Sequence, residues 1–411
     1  MSGGSKKIFY TVILPSIGAL IVILVFALVP TISKNHENST TDQINPVTST
    51  NTESPDVTTG LTLTAANSYI TLSWTPPLSN GSSAITGYHI YRGLSSDGED
   101  KKPIASVGPS VTTYNDIGLT NGRQYFYFVS AVNSYGEGRH SSEASATPTN
   151  LDKFGILELN PTQVNGRQWF SSWDNGDART LKTGQRDSDD PMFILTGDRS
   201  KLMIDGYGIA NMSGTQPRMY VYDAQKVLKW RNVEVTIYGK RISEFSQDNA
   251  AGINIGARSN HQDQGKPTNC NVDTYYSRML YSGVANFMKE LNHPDEATSS
   301  LVGHPIDWGN KAKAMPYDQW IGHKFVLRDY DGGKHVKLEM YLDLTGGSNG
   351  GDWKLVTSWN DDGTWSVPPN SCNIPLNKII LEDNPSVFIR NTNINSAEYK
   401  YFSAREISPL P

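Results

Sequence analysis

Apolar and polar residues alternate with a period of two through much of the chain beyond residue 60. Ile70-Thr71-Leu72-Ser73-Trp74 alternates strictly. Gly87-Tyr88-His89-Ile90-Tyr91-Arg92 and Gln124-Tyr125-Phe126-Tyr127-Phe128-Val129-Ser130-Ala131-Val132 read as two further strands. Turn-forming clusters, Pro76-Pro77 and Asn80-Gly81-Ser82-Ser83, separate such runs. The pattern returns after residue 150. Val233, Val235 and Ile237 fall on one strand face, with Glu234, Thr236 and Tyr238 on the other. Val336, Leu338, Met340 and Leu342 are predicted to face inward, against Lys337, Glu339, Tyr341 and Asp343. Phe325-Val326-Leu327, Val387-Phe388-Ile389 and Tyr399-Lys400-Tyr401-Phe402 are further strand candidates. Successive side chains of a strand point to opposite faces, so each run lays an apolar face on a core. No capped amphipathic segment exceeds about three helical turns. The expected fold is therefore all-β: a small β-sandwich over residues 60–148 and a larger one, of the jelly-roll kind, over residues 151–411.

One stretch breaks the alternation. Residues 8–32 are almost wholly apolar and carry no charge. A helix needs about 20 such residues to span the hydrocarbon core, which predicts an N-terminal transmembrane helix. Lys6 and Lys7 precede it and no basic cluster follows closely. The positive-inside rule then leaves residues 1–7 as a cytoplasmic tip and the C-terminal bulk extracellular, anchored at the cell membrane by a single pass. The alternative is a cleaved signal peptide. Its apolar region would be shorter, about 7–15 residues, and would end at small residues. Ala27-Leu28-Val29-Pro30 is a poor cleavage site, which favours the retained anchor. Residues 33–59 are rich in Ser, Thr, Asn, Asp, Glu and Pro, and read as a disordered stalk with too little apolar surface to offset its chain entropy.

The first sandwich carries a recognisable set of residues. Trp74, Tyr88, Tyr91-Arg92, Leu119, Gly122 and Tyr125, with Ala131-Val132-Asn133 closing the last of these strands, resemble a fibronectin type III domain. The resemblance spans nearly all of residues 60–148. It implies that Trp74 is the core tryptophan and that Leu119 and Tyr125 form a tyrosine corner, in which the ring fills the sandwich end while the hydroxyl meets a backbone group. The adhesive Arg-Gly-Asp of that family is absent: the corresponding loop reads Asn133-Ser134-Tyr135-Gly136-Glu137-Gly138. Integrin-type adhesion is unsupported, and a spacer role is expected.

The second sandwich resembles the concanavalin A-like lectin/glucanase superfamily, particularly its polysaccharide-lyase-like and laminin-G-like branches. The residues that carry this are Asn232-Val233-Glu234-Val235-Thr236-Ile237-Tyr238-Gly239-Lys240-Arg241, then Gly252-Ile253-Asn254-Ile255-Gly256-Ala257-Arg258-Ser259-Asn260-His261. Tyr275-Tyr276-Ser277-Arg278, Phe287-Met288-Lys289-Glu290, Trp320-Ile321-Gly322-His323-Lys324 and Phe402-Ser403-Ala404-Arg405-Glu406-Ile407 continue it. The resemblance implies a concave sheet face that binds carbohydrate, in some members with calcium. Residues two apart share a face, so Asn254, Arg258 and Asn260 are expected together, as are Tyr276 and Arg278, and Phe287 and Lys289. If the strands adjoin, Asn254, Arg258, Asn260, Tyr276, Arg278 and Lys289 form a ligand-binding groove whose donors meet sugar hydroxyls or uronate carboxylates. The expected partner is a polysaccharide or glycoconjugate.

Composition narrows the chemistry. A formal charge of -5 and a pI near 5.9 argue against nucleic acid as the main partner, because phosphate binding needs a basic surface. Eight of the 9 tryptophans follow residue 150, placing most flat aromatic surface in the second sandwich. A glucanase of the resembled superfamily would show Glu-x-Asp-x-x-Glu; the nearest text, Glu339-Met340-Tyr341-Leu342-Asp343, does not fit, so glycoside hydrolysis by paired carboxylates is not expected. A lyase on uronate glycans needs a group to neutralise the carboxylate, a base and an acid. Arg258, His261 and Tyr276 supply those types, with His261 and Tyr276 as the catalytic candidates. A ligand-free structural envelope protein is the third reading. Cys270 and Cys372 are the only cysteines and are expected to pair in an oxidising compartment, the alternative being two buried thiols. No cofactor is expected. Structural calcium is the one cation considered, at Asp187-Ser188-Asp189-Asp190 or Glu382-Asp383-Asn384, but both read as solvated loops and no metal ligand is assigned.

Overall fold

The computed structural model describes residues 52–245, 251–261, 270, 272–292, 298–309 and 313–411. The expected cytoplasmic tip, transmembrane helix and most of the stalk lie outside the described residues. Among the described residues, no helix is long and apolar enough to cross a membrane.

The first sandwich forms where the alternation predicts it. Thr59–Ala66, Tyr69–Thr75 and Thr113–Ile117 make one sheet, and Ile85–Gly93, Ala105–Val107, Tyr125–Asn133, Gly136–Glu137 and Ala144–Ala146 the other. Ile70, Leu72 and Trp74 pack against Tyr88, Ile90, Tyr127, Val129 and Ala131. The Tyr125 hydroxyl accepts the Thr120 N–H at 3.0 Å, so the tyrosine corner is present. The buried Asp116 carboxylate takes Arg92 Nη1 at 2.9 Å and the Tyr127 hydroxyl at 2.8 Å.

The second sandwich has two larger sheets. In one, Arg179–Lys182, Lys201–Ile204, Ala210–Gly214, Ile394–Glu406, Val233–Glu244, Ile321–Tyr330, His335–Asp343 and Lys354–Asp361 lie side by side, with Gln168–Phe170 paired to Ile394–Glu406. In the other the order is Phe193–Thr196, Arg218–Val221, Ser386–Arg390, Gly252–Ser259, Thr274–Leu280, Val284–Glu290 and Thr298–Ser300, with His304–Pro305 also paired to Val284–Glu290. Val233, Val235, Ile237, Phe325, Leu338 and Met340 of the nine-stranded sheet share one core with Ile253, Ile255, Tyr275, Met279, Phe287, Val387 and Ile389 of the eight-stranded sheet. Trp169, Trp173, Trp230, Trp308 and Trp365 belong to that core as well, so most of the tryptophan excess is structural.

The outer face of the nine-stranded sheet is partly covered by the chain just before its first strand. Buried Glu234 accepts the N–H groups of Leu159 at 3.2 Å and Asn160 at 3.0 Å, Lys324 Nζ at 2.9 Å and Arg405 Nη2 at 2.7 Å. Burial alone would raise its pKa, but Lys324 and Arg405 outweigh that and hold it at about 2. A carboxylate is therefore kept ionised in the interior because two cations and two amides surround it. Cys270 and Cys372 form a disulfide with Cα atoms 5.4 Å apart. It ties the chain just before Thr274–Leu280 to the long connection between Lys354–Asp361 and Ser386–Arg390.

Candidate functional site

The outer face of the eight-stranded sheet is unusually polar in one band and aromatic in the next. Antiparallel register puts Arg218 opposite Arg390, Arg390 opposite Asn254, Asn254 opposite Arg278, and Arg278 opposite Asn286. Two residues along, the same five strands present Tyr220, Phe388, Gly256, Tyr276 and Met288. A third row holds Ser386, Ser259, Thr274 and Glu290. The aromatic row is close-packed: the Tyr220 and Phe388 ring centroids are 4.6 Å apart, and those of Tyr276 and Phe388 5.6 Å apart. Gly256 is needed beneath Phe388, since a Cβ there would lie 2.2 Å from its ring.

The guanidinium row is an electrostatic oddity. Like charges directly opposite on neighbouring strands repel, and Arg218 and Arg390 are so placed. Four buried polar atoms of this row, Arg218 Nε, Arg390 Nε, Asn254 Oδ1 and Asn286 Oδ1, have no hydrogen-bond partner among the described residues. Buried polar groups are nearly always paired, so four unsatisfied ones in a single register row mark a surface built to meet something else. Arg278 Nη1 reaches Ser300 Oγ at 3.0 Å at the far end of the row.

Beside it runs a chain of acid–base groups. The Tyr220 hydroxyl and His261 Nδ1 are 3.0 Å apart, His261 Nε2 and Glu290 Oε2 are 3.4 Å apart, and the Tyr276 hydroxyl donates to Glu290 Oε2 at 2.7 Å. Burial pushes the His261 pKa down, a shift that the Glu290 carboxylate opposes and that the more distant charges of Arg218 and Arg390 add to. Burial, and then the charge of Glu290, raise the Tyr276 phenol well above its ordinary value. At neutral pH the network therefore holds a neutral imidazole and protonated phenols.

The sequence-predicted residues divide between this face and the interior. Asn254, Tyr276 and Arg278 lie on it, and His261 joins Tyr276 through Glu290. Arg258 does not. Its φ of 46° marks a bulge where the pairing of Gly252–Ser259 with Ser386–Arg390 slips between Gly256 and Ser259, and the extra residue turns its side chain off the face. Its guanidinium is buried against the Arg231 carbonyl at 2.9 Å, the Ile380 carbonyl at 2.8 Å and the Asp329 carboxylate. Lys289 shares the core-facing side with Phe287. Its Nζ meets Asp361 Oδ2 at 2.9 Å and the Lys378 carbonyl at 3.0 Å. Asn260 closes the strand ends, accepting the Asp273 N–H at 2.7 Å. Sequence reasoning missed Arg218, Tyr220, Glu290 and Arg390. The signal for two of them was present: Arg218-Met219-Tyr220-Val221-Tyr222 alternates as cleanly as the strands that were recognised. The acidic loop considered for calcium is engaged by Arg179, whose Nε and Nη2 meet the Asp187 carboxylate at 2.6 Å each.

Residues 55–147 match the family model of the fibronectin type III domain. The first sandwich is a fibronectin type III domain. An amylopullulanase of Thermoanaerobacterium saccharolyticum is 34% identical over 144 residues, 32% of this chain and 10% of its own length. An amylopullulanase of Thermoanaerobacter thermohydrosulfuricus is 40% identical over 82 residues, covering 20% of this chain and 5% of the relative. Protein sidekick-1 of Mus musculus is 36% identical over 76 residues, covering 18% and 3%. The chain thus spans a tenth or less of these relatives. Among solved structures, an Fn3-like protein from Clostridium thermocellum is 28% identical with a TM-score of 0.20, covering 24% of this chain and 99% of that one. The FN5 domain of Drosophila Lar is likewise 28% identical with a TM-score of 0.20, covering 23% and 97%.

Proposed function

We propose that this chain is a membrane-anchored extracellular surface protein whose second sandwich binds an anionic polysaccharide across the outer face of its eight-stranded sheet. The row Arg218–Arg390–Asn254–Arg278–Asn286 carries this reading. Carboxylates spaced along a uronate chain would relieve the repulsion between Arg218 and Arg390 and supply the missing acceptors. The free amide oxygens of Asn254 and Asn286 would take sugar hydroxyls. The aromatic row offers ring surface beside the charged one. Three relatives named amylopullulanase fit a polysaccharide partner. The concanavalin A-like jelly roll is the fold assignment this reading adopts for residues 151–411. Residues 8–32 are the anchor, and the fibronectin type III domain holds the binding sandwich away from the bilayer.

A second reading, cleavage of the bound glycan by β-elimination, is favoured by one observation: the chain Tyr220–His261–Glu290–Tyr276 lies one row from the guanidiniums. In that reaction neutral His261 would take the proton next to the carboxylate. The electron pair would form the C4=C5 double bond, the C4–O bond would break, and a phenol would protonate the leaving oxygen.

Titration of the full chain in detergent with an oligouronate and with neutral dextran tests both. Binding of the oligouronate alone is the expected result, and equal binding of dextran would defeat the anionic assignment. Growth of ultraviolet absorbance from unsaturated ends would add catalysis, and a flat trace over a long incubation would leave a binder.

A further inference from the structure

The opposite sheet carries a different surface. A cavity of about 270 Å³ is lined by Lys153, Phe154, Trp173, Asp174, Tyr207 and Tyr401. We propose that it is a second glycan subsite, for one neutral pyranose ring, on the outer face of the nine-stranded sheet.

Two of its aromatic walls are placed by unusual backbone. Tyr207 stands on the turn between Lys201–Ile204 and Ala210–Gly214, and is 86% exposed. The Asp205 carboxylate accepts the Tyr207 N–H at 2.7 Å and the Ile209 N–H at 2.9 Å, so this ring is presented by a fixed turn rather than a slack loop. A large aromatic side chain held almost wholly in water has no packing role in this chain. Tyr401 has φ 56°, the left-handed region, at a bulge where Thr236 faces Ser403 but Tyr238 faces Lys400. Glycine is the usual occupant of such a bulge position, and a bulky residue there is strained. The consequence is that Lys400 and Tyr401, consecutive residues, both leave the core, while Tyr399 and Phe402 on either side remain in it. Strain kept at a bulky residue is informative when it aims that residue at a cavity, as it does here.

The remaining wall and mouth fit a sugar. Phe154 packs tilted on Tyr401 with ring centroids 5.4 Å apart, giving two joined apolar plates. Lys153 Nζ donates to the Ser171 carbonyl at 3.1 Å and faces Asp174 Oδ1 at 3.8 Å; both side chains are half exposed at the rim. One cation beside one anion leaves the mouth with no net charge. It offers a carboxylate acceptor and an ammonium donor to hydroxyls, and gives a uronate no advantage. The volume lies just under the roughly 300 Å³ at which pockets for drug-sized ligands begin, which suits one ring of a longer chain. Aromatic plates bind the C–H face of a pyranose and the paired charges orient its hydroxyls. With the guanidinium row on the other sheet, a single sandwich would then hold two glycan chains of different charge on opposite faces.

The test uses the full chain in detergent with two neutral probes, maltohexaose and cellohexaose, and an oligouronate as a third arm. Saturable binding of at least one neutral hexasaccharide is expected, with maltohexaose and cellohexaose distinguishing α- from β-linked chains. Tyr207→Ala should weaken it tenfold or more and leave the oligouronate arm unchanged. Tyr401→Gly should weaken it similarly without lowering the melting temperature, because glycine suits the bulge. If Tyr401→Gly does destabilise the chain, Tyr207→Ala alone decides. Absence of binding by both neutral probes, or neutral binding indifferent to Tyr207→Ala, overturns the proposal. Because the oligouronate arm reads the other face, failure here leaves the anionic site standing, and the converse.

Discussion

Arg390→Gln separates a ligand-binding guanidinium from a structural one, because the two roles predict opposite signs. Arg390 lies directly between Arg218 and Asn254, and its Nε has no partner among the described residues. In the unliganded protein it therefore contributes repulsion rather than a bond. Like charges directly opposite across strands cost about 0.2–1 kcal/mol, so glutamine, which keeps most of the stem, should leave urea stability unchanged or raise it by up to that amount. In the complex the same guanidinium would make a charge-assisted bond to a carboxylate. Such a bond contributes about 1.5–3 kcal/mol, and its loss should weaken oligouronate binding roughly 10- to 150-fold. The salt dependence should change with it: the slope of log affinity against log salt should become shallower by up to about one, as one phosphate-like contact does in other polyanion complexes. Calorimetric titration at several salt concentrations, paired with urea melts of the free protein, reads both signs. A variant that binds as tightly as the parent with the same salt slope, or one that loses stability without ligand, would refute the argument.

Other outcomes follow from the buried groups. His323 is fully buried and burial drives its pKa down to about 3, so the folded state binds fewer protons than the unfolded one below the ordinary histidine value of 6.5; its share of stability is complete above pH 6.5 and is lost as pH falls toward 3, at up to about 1.4 kcal/mol per pH unit. Urea midpoints measured from pH 7 to pH 4 should fall less steeply in His323→Gln than in the parent. Glu234→Ala leaves Lys324 and Arg405 buried beside a missing anion and should cost about 3–5 kcal/mol in the same assay. Cys372→Ser opens a link spanning 102 residues and should cost up to about 4–5 kcal/mol, read as an earlier melt that reducing agent reproduces in the parent. Tyr125→Phe removes the acceptor for the Thr120 N–H and should cost about 1 kcal/mol without changing glycan binding.

The parts of the fold that were legible in sequence were those governed by local rules. The first sandwich was read from Trp74, Leu119 and Tyr125 because each fills a position that the fold itself requires. Strands such as Val233–Glu244 and His335–Asp343 were read from period two, since one face meets the common core. The site was only half legible. Asn254, Tyr276 and Arg278 were found because their strands are regular, so counting by twos gave the correct face. Arg218, Arg390 and Glu290 escaped because what distinguishes them is pairing between strands far apart in sequence. Residue 218 meets residue 390 only after 172 positions of intervening chain, and no local pattern encodes that register.

Both departures from the parity rule occur at non-glycine residues with left-handed backbone, and they act in opposite directions. At Arg258 the bulge draws a cation inward. Its guanidinium then binds Asp329 at the end of Ile321–Tyr330, while its own strand stays in the eight-stranded sheet, so one side chain clamps the two sheets together. At Tyr401 the bulge sends an aromatic ring outward from a strand whose flanking residues are core. A buried arginine with three kinds of partner can hold its own strained backbone in place. A half-exposed tyrosine recovers far less from its contacts, so the strain at Tyr401 is the one that packing accounts for least. Replacement by glycine should accordingly be harmless at Tyr401 and severely destabilising at Arg258, where it would also strand Asp329 beside a single remaining cation, Arg231. Equal losses of stability for Arg258→Gly and Tyr401→Gly in parallel urea melts would show that both bulges serve packing alone.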